Sequence, residues 1–379
     1  MTDLDRLLDF AARSRVPGGF GHLDDDGRVL PDRPIETLIV ARMTHVFGLA
    51  QLLGRPGADE LVRHGVEALT DGPLRDAERG GWRSSTDDDT KAAYVHAFVV
   101  LAGSTAATVG ADGGRALLDD ALAVWQHRFW DDEAGLAVDE WDGGWSRLSD
   151  YRGANANMHG VEATLAAADA LASGDPTTAD RLRNQALRST ERMVHGFARE
   201  RDWRLPEHFT ADWVVLPEYN RDEPLHPFRP YGATFGHSLE WSRFLLQLDA
   251  SPLVASPPWL VEAAEGLTRR ALDGGWSLDG RPGLVYTVDW DGVPVADVRL
   301  HWPVCEGIQT TAVLIRRTGD LHWERWYRRL WDHAARWFID ERGTWRNELD
   351  DDMSEAGRVW PGRPDVYHCG GALTLPLEV

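Results

Sequence analysis

Lysine is all but missing from this chain: Lys91 is the only one in 379 residues, and the other basic side chains are arginines. Against 40 basic residues stand 61 acidic ones, a net charge of −21. That surface repels nucleic acid and anionic membranes, and both are excluded as partners. The arginine bias reads as genome composition, although single arginines remain candidates for binding substrate. Cysteine is scarce too. Cys305 and Cys369 are too few for a disulfide framework or an all-cysteine metal site and read as small buried thiols. No run approaches the ~18 apolar residues of a membrane span. Met1 to Pro17 is charged and amphipathic, without the apolar core of a signal peptide, so the expected location is the cytoplasm. No glycine-rich nucleotide loop occurs. Linkers, low-complexity tracts and composition shifts are also missing, so residues 1–379 read as a single catalytic domain.

Helical periodicity is abundant. Apolar residues recur at three-and-four spacing over Glu36–Leu53, Asp59–Leu69, Thr90–Ala107, Arg115–Phe129, Ala156–Ala172, Ala179–Phe197, Gly236–Leu248, Pro258–Leu272, Gly307–Arg317 and Trp323–Phe338. Asp3–Ser14 and a short last helix near Val366 bring the total to about twelve. Strand-like alternation is confined to short pieces such as Gly283–Asp289 and Trp213–Leu216. The punctuation repeats. Gly-Gly-aromatic ends at Phe20, Trp82, Trp145 and Trp276, with echoes at Trp203 and Trp345, and the intervals are 62, 63, 58, 73 and 69 residues. Each interval holds two helices and a turn, the mark of a repeat architecture. Six helical hairpins can form an open solenoid or close into an (α/α)6 barrel. Candidate site residues recur at regular steps along the chain. A ring brings them to one face, whereas a solenoid spreads them out. The expected fold is all-α, an (α/α)6 barrel with short β-hairpins in its rim loops. The inserts 130–153, 200–231 and 276–303 are expected to build that rim.

Histidines at loop-to-helix junctions carry the chemical signal. His237 follows Gly236 at the start of a helix, and Glu240 lies three residues on, on the same face. His159 and Glu162 repeat the spacing, and Asn155 shares the face of His159. His368 closes the loop Trp360-Pro361-Gly362-Arg363-Pro364-Asp365-Val366-Tyr367. An imidazole titrates near 6.5, so it takes and returns protons readily at neutral pH. Arg42 interrupts an apolar helix, where a guanidinium must meet a carboxylate or a ligand. Most of the 18 tryptophans belong to core or rim packing. Trp302 is the exception, between His301 and the Pro303-Val304-Cys305-Glu306 turn, where an indole face suits a sugar ring. Paired His-x-x-Glu motifs also raise a metal reading, but di-iron bundles use the reverse order, with further glutamates. The histidine pairs favour proton transfer over glycoside hydrolysis, which needs two opposed carboxylates. They also favour an enzyme over a non-catalytic sugar-binding protein.

The stretches Tyr151–Ala163, Phe209–Trp241 and Trp360–His368 resemble the N-acylglucosamine 2-epimerase superfamily. The likeness is above all to its aldose–ketose isomerase branch, the mannose and sulfoquinovose isomerases, and it runs in order from Arg42 to His368. It implies an (α/α)6 barrel and interconversion of D-mannose and D-fructose, with D-lyxose and D-xylulose as a related pair. The implied route is a cis-enediol, with no metal and no other cofactor. The near alternative within the superfamily is sugar 2-epimerisation. Carried over residue by residue, the resemblance makes His237 and His368 the acid–base pair, with Glu240 assisting His237. Arg42, Asn155, His159 and Arg229 would hold substrate hydroxyls, and Tyr94, Trp302 and Glu306 would line the pocket. The implied partner is a small monosaccharide. No motif encodes an oligomeric state.

Overall fold

The computed structural model describes residues 2–253 and 256–378. Its helices are Asp3–Ala11 (α1), Thr37–Leu52 (α2), Ala58–Thr70 (α3), Ala93–Thr108 (α4), Gly114–Val124 (α5), Ala154–Leu171 (α6), Pro176–Thr190 (α7), Phe235–Ala250 (α8), Trp259–Gly275 (α9), His301–Thr318 (α10), Leu321–His333 (α11) and Tyr367–Glu378 (α12). The even-numbered helices form an inner ring: α2 packs on α4, α4 on α6, α6 on α8, α8 on α10, α10 on α12, and α12 back on α2. The odd-numbered ones back them, each against the inner helix preceding it, and α1 closes the sixth hairpin against α12. The result is the (α/α)6 barrel. Composition explains the layering. In α2 and α4 nearly every residue is buried, so these helices are apolar on all sides and belong inside. The outer helices α3 and α11 bury one stripe and leave the other face wet.

Short strands stitch the rim. Lys91–Ala92 leads into α4, Arg152–Gly153 into α6, Ala233–Thr234 into α8 and Arg299–Leu300 into α10. Each pairs antiparallel with residues that follow an outer helix: with Glu140–Trp141, His208–Phe209, Thr287–Val288 and Glu348–Leu349 respectively. The bridge between Glu36 and Ser85 repeats the pattern before α2. The N-termini of the inner helices therefore open on one end of the barrel, under the rim loops.

Two expectations need correction. The glycine–aromatic marks are not equivalent positions. Phe20, Trp82 and Trp345 occupy the second arm of the hairpin after an outer helix, and Ala137 and Leu284 take that place in two other repeats. Trp276 lies on a first arm, and Gly274 and Gly275 belong to the last turn of α9. The period is that of the helical hairpin, and the aromatic only follows it approximately. Secondly, α10 begins at His301 rather than Gly307. Pro303 sits in its first turn, where a missing N–H breaks no helical bond. The segment 339–366, between α11 and α12, is a further long rim insert that the sequence reading passed over.

Candidate active site

Every inner helix sends a side chain from its N-terminal turns into one cavity of about 880 Å³: Arg42 from α2, Tyr94 from α4, Asn155 and His159 from α6, His237 and Glu240 from α8, His301 and Trp302 from α10, and His368 from α12. The rim adds Phe228, Tyr286, Asn347 and Trp360. Local structure fixes the heights. Thr234 caps α8 by accepting from the His237 amide at 3.1 Å, which sets His237 in the first turn. Asp365 accepts from the Tyr367 amide at 3.0 Å and pairs with Arg42 at 3.0 Å, so one carboxylate starts α12 and anchors Arg42. Arg42 also donates to the Tyr94 hydroxyl at 2.8 Å, and its plane lies over Phe98 and Tyr367.

Trp302 packs beside both histidines. Its ring centroid is 5.2 Å from that of His237 and 5.8 Å from that of His368. The indole also lies flat against α8. A Cβ on Gly236 would come within 2.2 Å of it, so that glycine serves a close approach rather than a turn.

Each imidazole has a buried carboxylate behind it. His237 Nδ1 is 2.9 Å and 3.0 Å from the two carboxylate oxygens of Glu207. His368 Nδ1 is 2.8 Å from Glu306 Oε1. A carboxylate only accepts, so a neutral ring carries its proton on Nδ1 and leaves Nε2 free as a base. Burial lowers the His368 pKa below its ordinary value, although Glu306 pulls the other way. His159 Nδ1 meets Glu162 at 2.9 Å, and burial takes His159 down to about 4. It is a neutral ring at physiological pH.

Beneath this layer lies a cluster of carboxylates around Arg243. Its guanidinium is 3.0 Å from Glu306 and 3.8 Å from both Glu162 and Glu240. Burial pushes the Glu162 carboxyl up, but His159 and Arg243 outweigh it and hold the group at about 2. Glu240 goes the opposite way. Burial and the neighbouring charge of Glu306 push it well above its ordinary value. Glu240, Glu306 and His368 are the one group among the described residues with donor atoms close enough to share a cation. Arg243 already supplies positive charge there, and His368 Nδ1 is engaged by Glu306.

Several sequence-derived assignments change. Glu240 does not reach His237; its Oε1 lies 3.7 Å from His159 Nε2 and has no hydrogen-bond partner. Glu207 takes the role expected of Glu240. It stands immediately before the strand His208–Phe209, and its carbonyl accepts from the Ala154 amide at 2.9 Å. Only the rim pairing marks that position. Glu306 is fully buried behind His368 and is not part of the cavity wall. Arg229 lies in an adjoining cavity of about 1230 Å³, held by Asp139 at 3.1 Å and stacked over Tyr151. Arg42, Tyr94, Asn155, His159 and Trp302 all line the cavity of the two histidines. The Oδ1 of Asn155 is buried without a partner.

Over residues 18–372 the chain matches the family model described as N-acylglucosamine 2-epimerase (GlcNAc 2-epimerase). It is 49% identical to a D-mannose isomerase of Thermobifida fusca, over 98% of this chain and 92% of that one. It is 44% identical to a D-mannose isomerase of Pseudomonas cannabina pv. alisalensis, over 98% and 90% respectively. A crystal structure of a D-mannose isomerase superposes with a TM-score of 0.90 at 26% identity, covering 99% of this chain and 96% of the other. A barrel whose inner helices converge on carboxylate-backed histidines, together with sequence likeness along almost its whole length, makes this chain a member of the N-acylglucosamine 2-epimerase family.

Proposed function

We propose that this protein is an aldose–ketose isomerase that interconverts D-mannose and D-fructose, without metal or redox cofactor, using the whole of residues 1–379 as one catalytic domain. One observation carries the reading: His237 and His368 line a common cavity, both beside Trp302, each with Nδ1 on a buried carboxylate. Likeness to two D-mannose isomerases at 49% and 44% identity supports the choice of sugar.

The reaction moves one proton from C2 to C1 and another between the two oxygens. With the sugar in its open-chain form, the free Nε2 of one imidazole takes the C2 proton, which leaves a cis-enediol. The same nitrogen, after its proton exchanges with solvent, delivers a proton to C1 on the same face. The second imidazole exchanges a proton with the oxygens, and a positioned acid–base group of this kind is worth roughly a hundred- to ten-thousandfold in rate. Glu240, whose pKa is raised by burial and by Glu306, supplies an O–H donor to developing negative charge on oxygen when it is protonated. Trp302 offers an apolar face to the sugar's C–H groups.

Proton NMR in deuterated water over a panel of free aldoses and ketoses, D-lyxose and D-xylulose included, tests the reading. Mannose should give fructose as first product, with deuterium at C1. Glucose as first product would move the assignment to 2-epimerisation, and no turnover of any sugar in the panel would overturn it.

A further inference from the structure

His301 is a third imidazole in the cavity wall, and the proton transfers above make no use of it. It is the first residue of α10, and its side chain is buried. Its Nδ1 lies 3.2 Å from the backbone carbonyl of Asn347, which also accepts from the His301 amide at 3.0 Å. A carbonyl oxygen has no hydrogen to give, so Nδ1 must carry the proton in that contact. The neutral ring is thereby held in one tautomer, with Nε2 as a lone-pair acceptor. That Nε2 is buried and has no hydrogen-bond partner among the described residues. The ring centroid is 6.2 Å from that of His368, so the two imidazoles border the same part of the cavity.

An acceptor hidden from water and left unpaired is destabilising, and a ligand donor relieves that cost. The thiol of Cys369 lies against the His301 ring but is a weak donor, and the stronger neighbouring groups are engaged elsewhere. Nδ1 of His368 is held by Glu306, and the Asn347 amide donates to the Gly362 carbonyl at 2.9 Å. Arg42, Tyr94 and Asn155 in the cavity wall can donate to a sugar oxygen. His301 is held so that it can only accept, and it therefore reads a hydroxyl hydrogen.

We propose that His301 Nε2 accepts a hydrogen bond from a substrate hydroxyl next to the reacting carbons, and that this contact makes His301 a specificity-determining residue. A site that binds a hydroxyl through a buried polar group rejects the analogue lacking it far more strongly than an apolar pocket does. The inference rests on the isomerase reading of this cavity.

A cycle of enzyme and substrate deletions tests it. Wild type and His301→Leu are each assayed on D-mannose and on its 3-deoxy, 4-deoxy and 6-deoxy forms, with kcat and KM measured separately. His301→Gln serves as a second, polar variant, and circular dichroism checks the fold of both. Wild type should lose at least about tenfold in kcat/KM on the 3-deoxy sugar, and His301→Leu should lose little further there. The other deoxy sugars should show additive losses. His301→Gln, whose amide oxygen can accept, should recover part of the discrimination. Additive losses on all three analogues would overturn the proposal. Failure of wild type to turn over D-mannose at all would instead sink the isomerase reading, which keeps the two apart.

Discussion

Glu306 lies 2.8 Å from Nδ1 of His368 and carries no other role at the cavity surface. The pair joins α10 to α12 across 62 residues of sequence, and Arg243 holds the far carboxylate oxygen at 3.0 Å. The ring is thus fixed in orientation and tautomer from behind. Glu306→Gln keeps the shape and removes the charge. We expect kcat to fall by roughly a hundred- to ten-thousandfold with little change in KM. Steady-state kinetics on mannose would decide, and an unchanged kcat would remove Glu306 from the machinery.

His237 and Glu207 form the matching pair. His237→Ala and His368→Ala should each reduce turnover by at least about a hundredfold. Glu207→Gln, which touches no reacting atom, should lower kcat by up to about a hundredfold by releasing the ring. Its effect on KM should be small. If Glu207→Gln were neutral, the carboxylate at 2.9 Å would be a packing feature and nothing more.

The pH dependence has a defined sign. Burial lowers the His368 pKa, and the base form is the neutral ring, so kcat/KM should hold below the usual histidine range near 6.5 and fail only at lower pH. Stability follows the same direction. Burial depresses His45, His159 and His333 to about 4 and His96 to about 3. The unfolded chain binds these protons near 6.5, so the contribution is complete above that pH and is lost as pH falls towards 4. A depression of two units is worth about 3 kcal/mol per residue. Urea midpoints should therefore drop between pH 6.5 and 4, and a flat profile would contradict the assignment.

Gly236 and Trp302 make a steric prediction. A methyl at 236 would sit 2.2 Å from the indole, which must then leave its place beside the histidines. Overpacking of this kind costs about 1–3 kcal/mol. A 1 Å misplacement at a reacting centre costs about a hundredfold in rate. Gly236→Ala should fold yet lose most activity, read by circular dichroism alongside kinetics. Full activity would mean that the position of Trp302 is immaterial.

Chelation provides the test of cofactor independence. Prolonged dialysis against EDTA should leave turnover intact. Loss of activity that returns with an added divalent ion would place a cation on Glu240, Glu306 and His368, the one suitable cluster among the described residues.

The sequence reading and the structure part company at specific residues. The three-residue spacing of His237 and Glu240 correctly put both on one face of α8, but a shared face is not a shared contact. His237, in the first turn, turns towards the rim and Glu207; Glu240, one turn deeper, faces His159 and Arg243. Glu207 is 30 residues away in sequence and no periodicity flags it. Arg229 was read as a substrate ligand, yet Asp139, 90 residues distant, holds it in the adjoining cavity. The helix α10 starts at His301, six residues before the expected Gly307, and takes the Pro303-Val304-Cys305-Glu306 turn into its first turns, where proline is tolerated.

By itself the sequence determined the helices, their approximate period and the residues able to carry protons. Those properties are local: they depend on apolar spacing, on composition and on the chemistry of individual side chains. Tertiary structure decided which carboxylate meets which imidazole, which polar atoms are left without partners, and that Trp302 packs against both rings. Those contacts form only when α12 packs against α2 and the rim strands pair, because they join groups tens of residues apart whose separation no local pattern encodes.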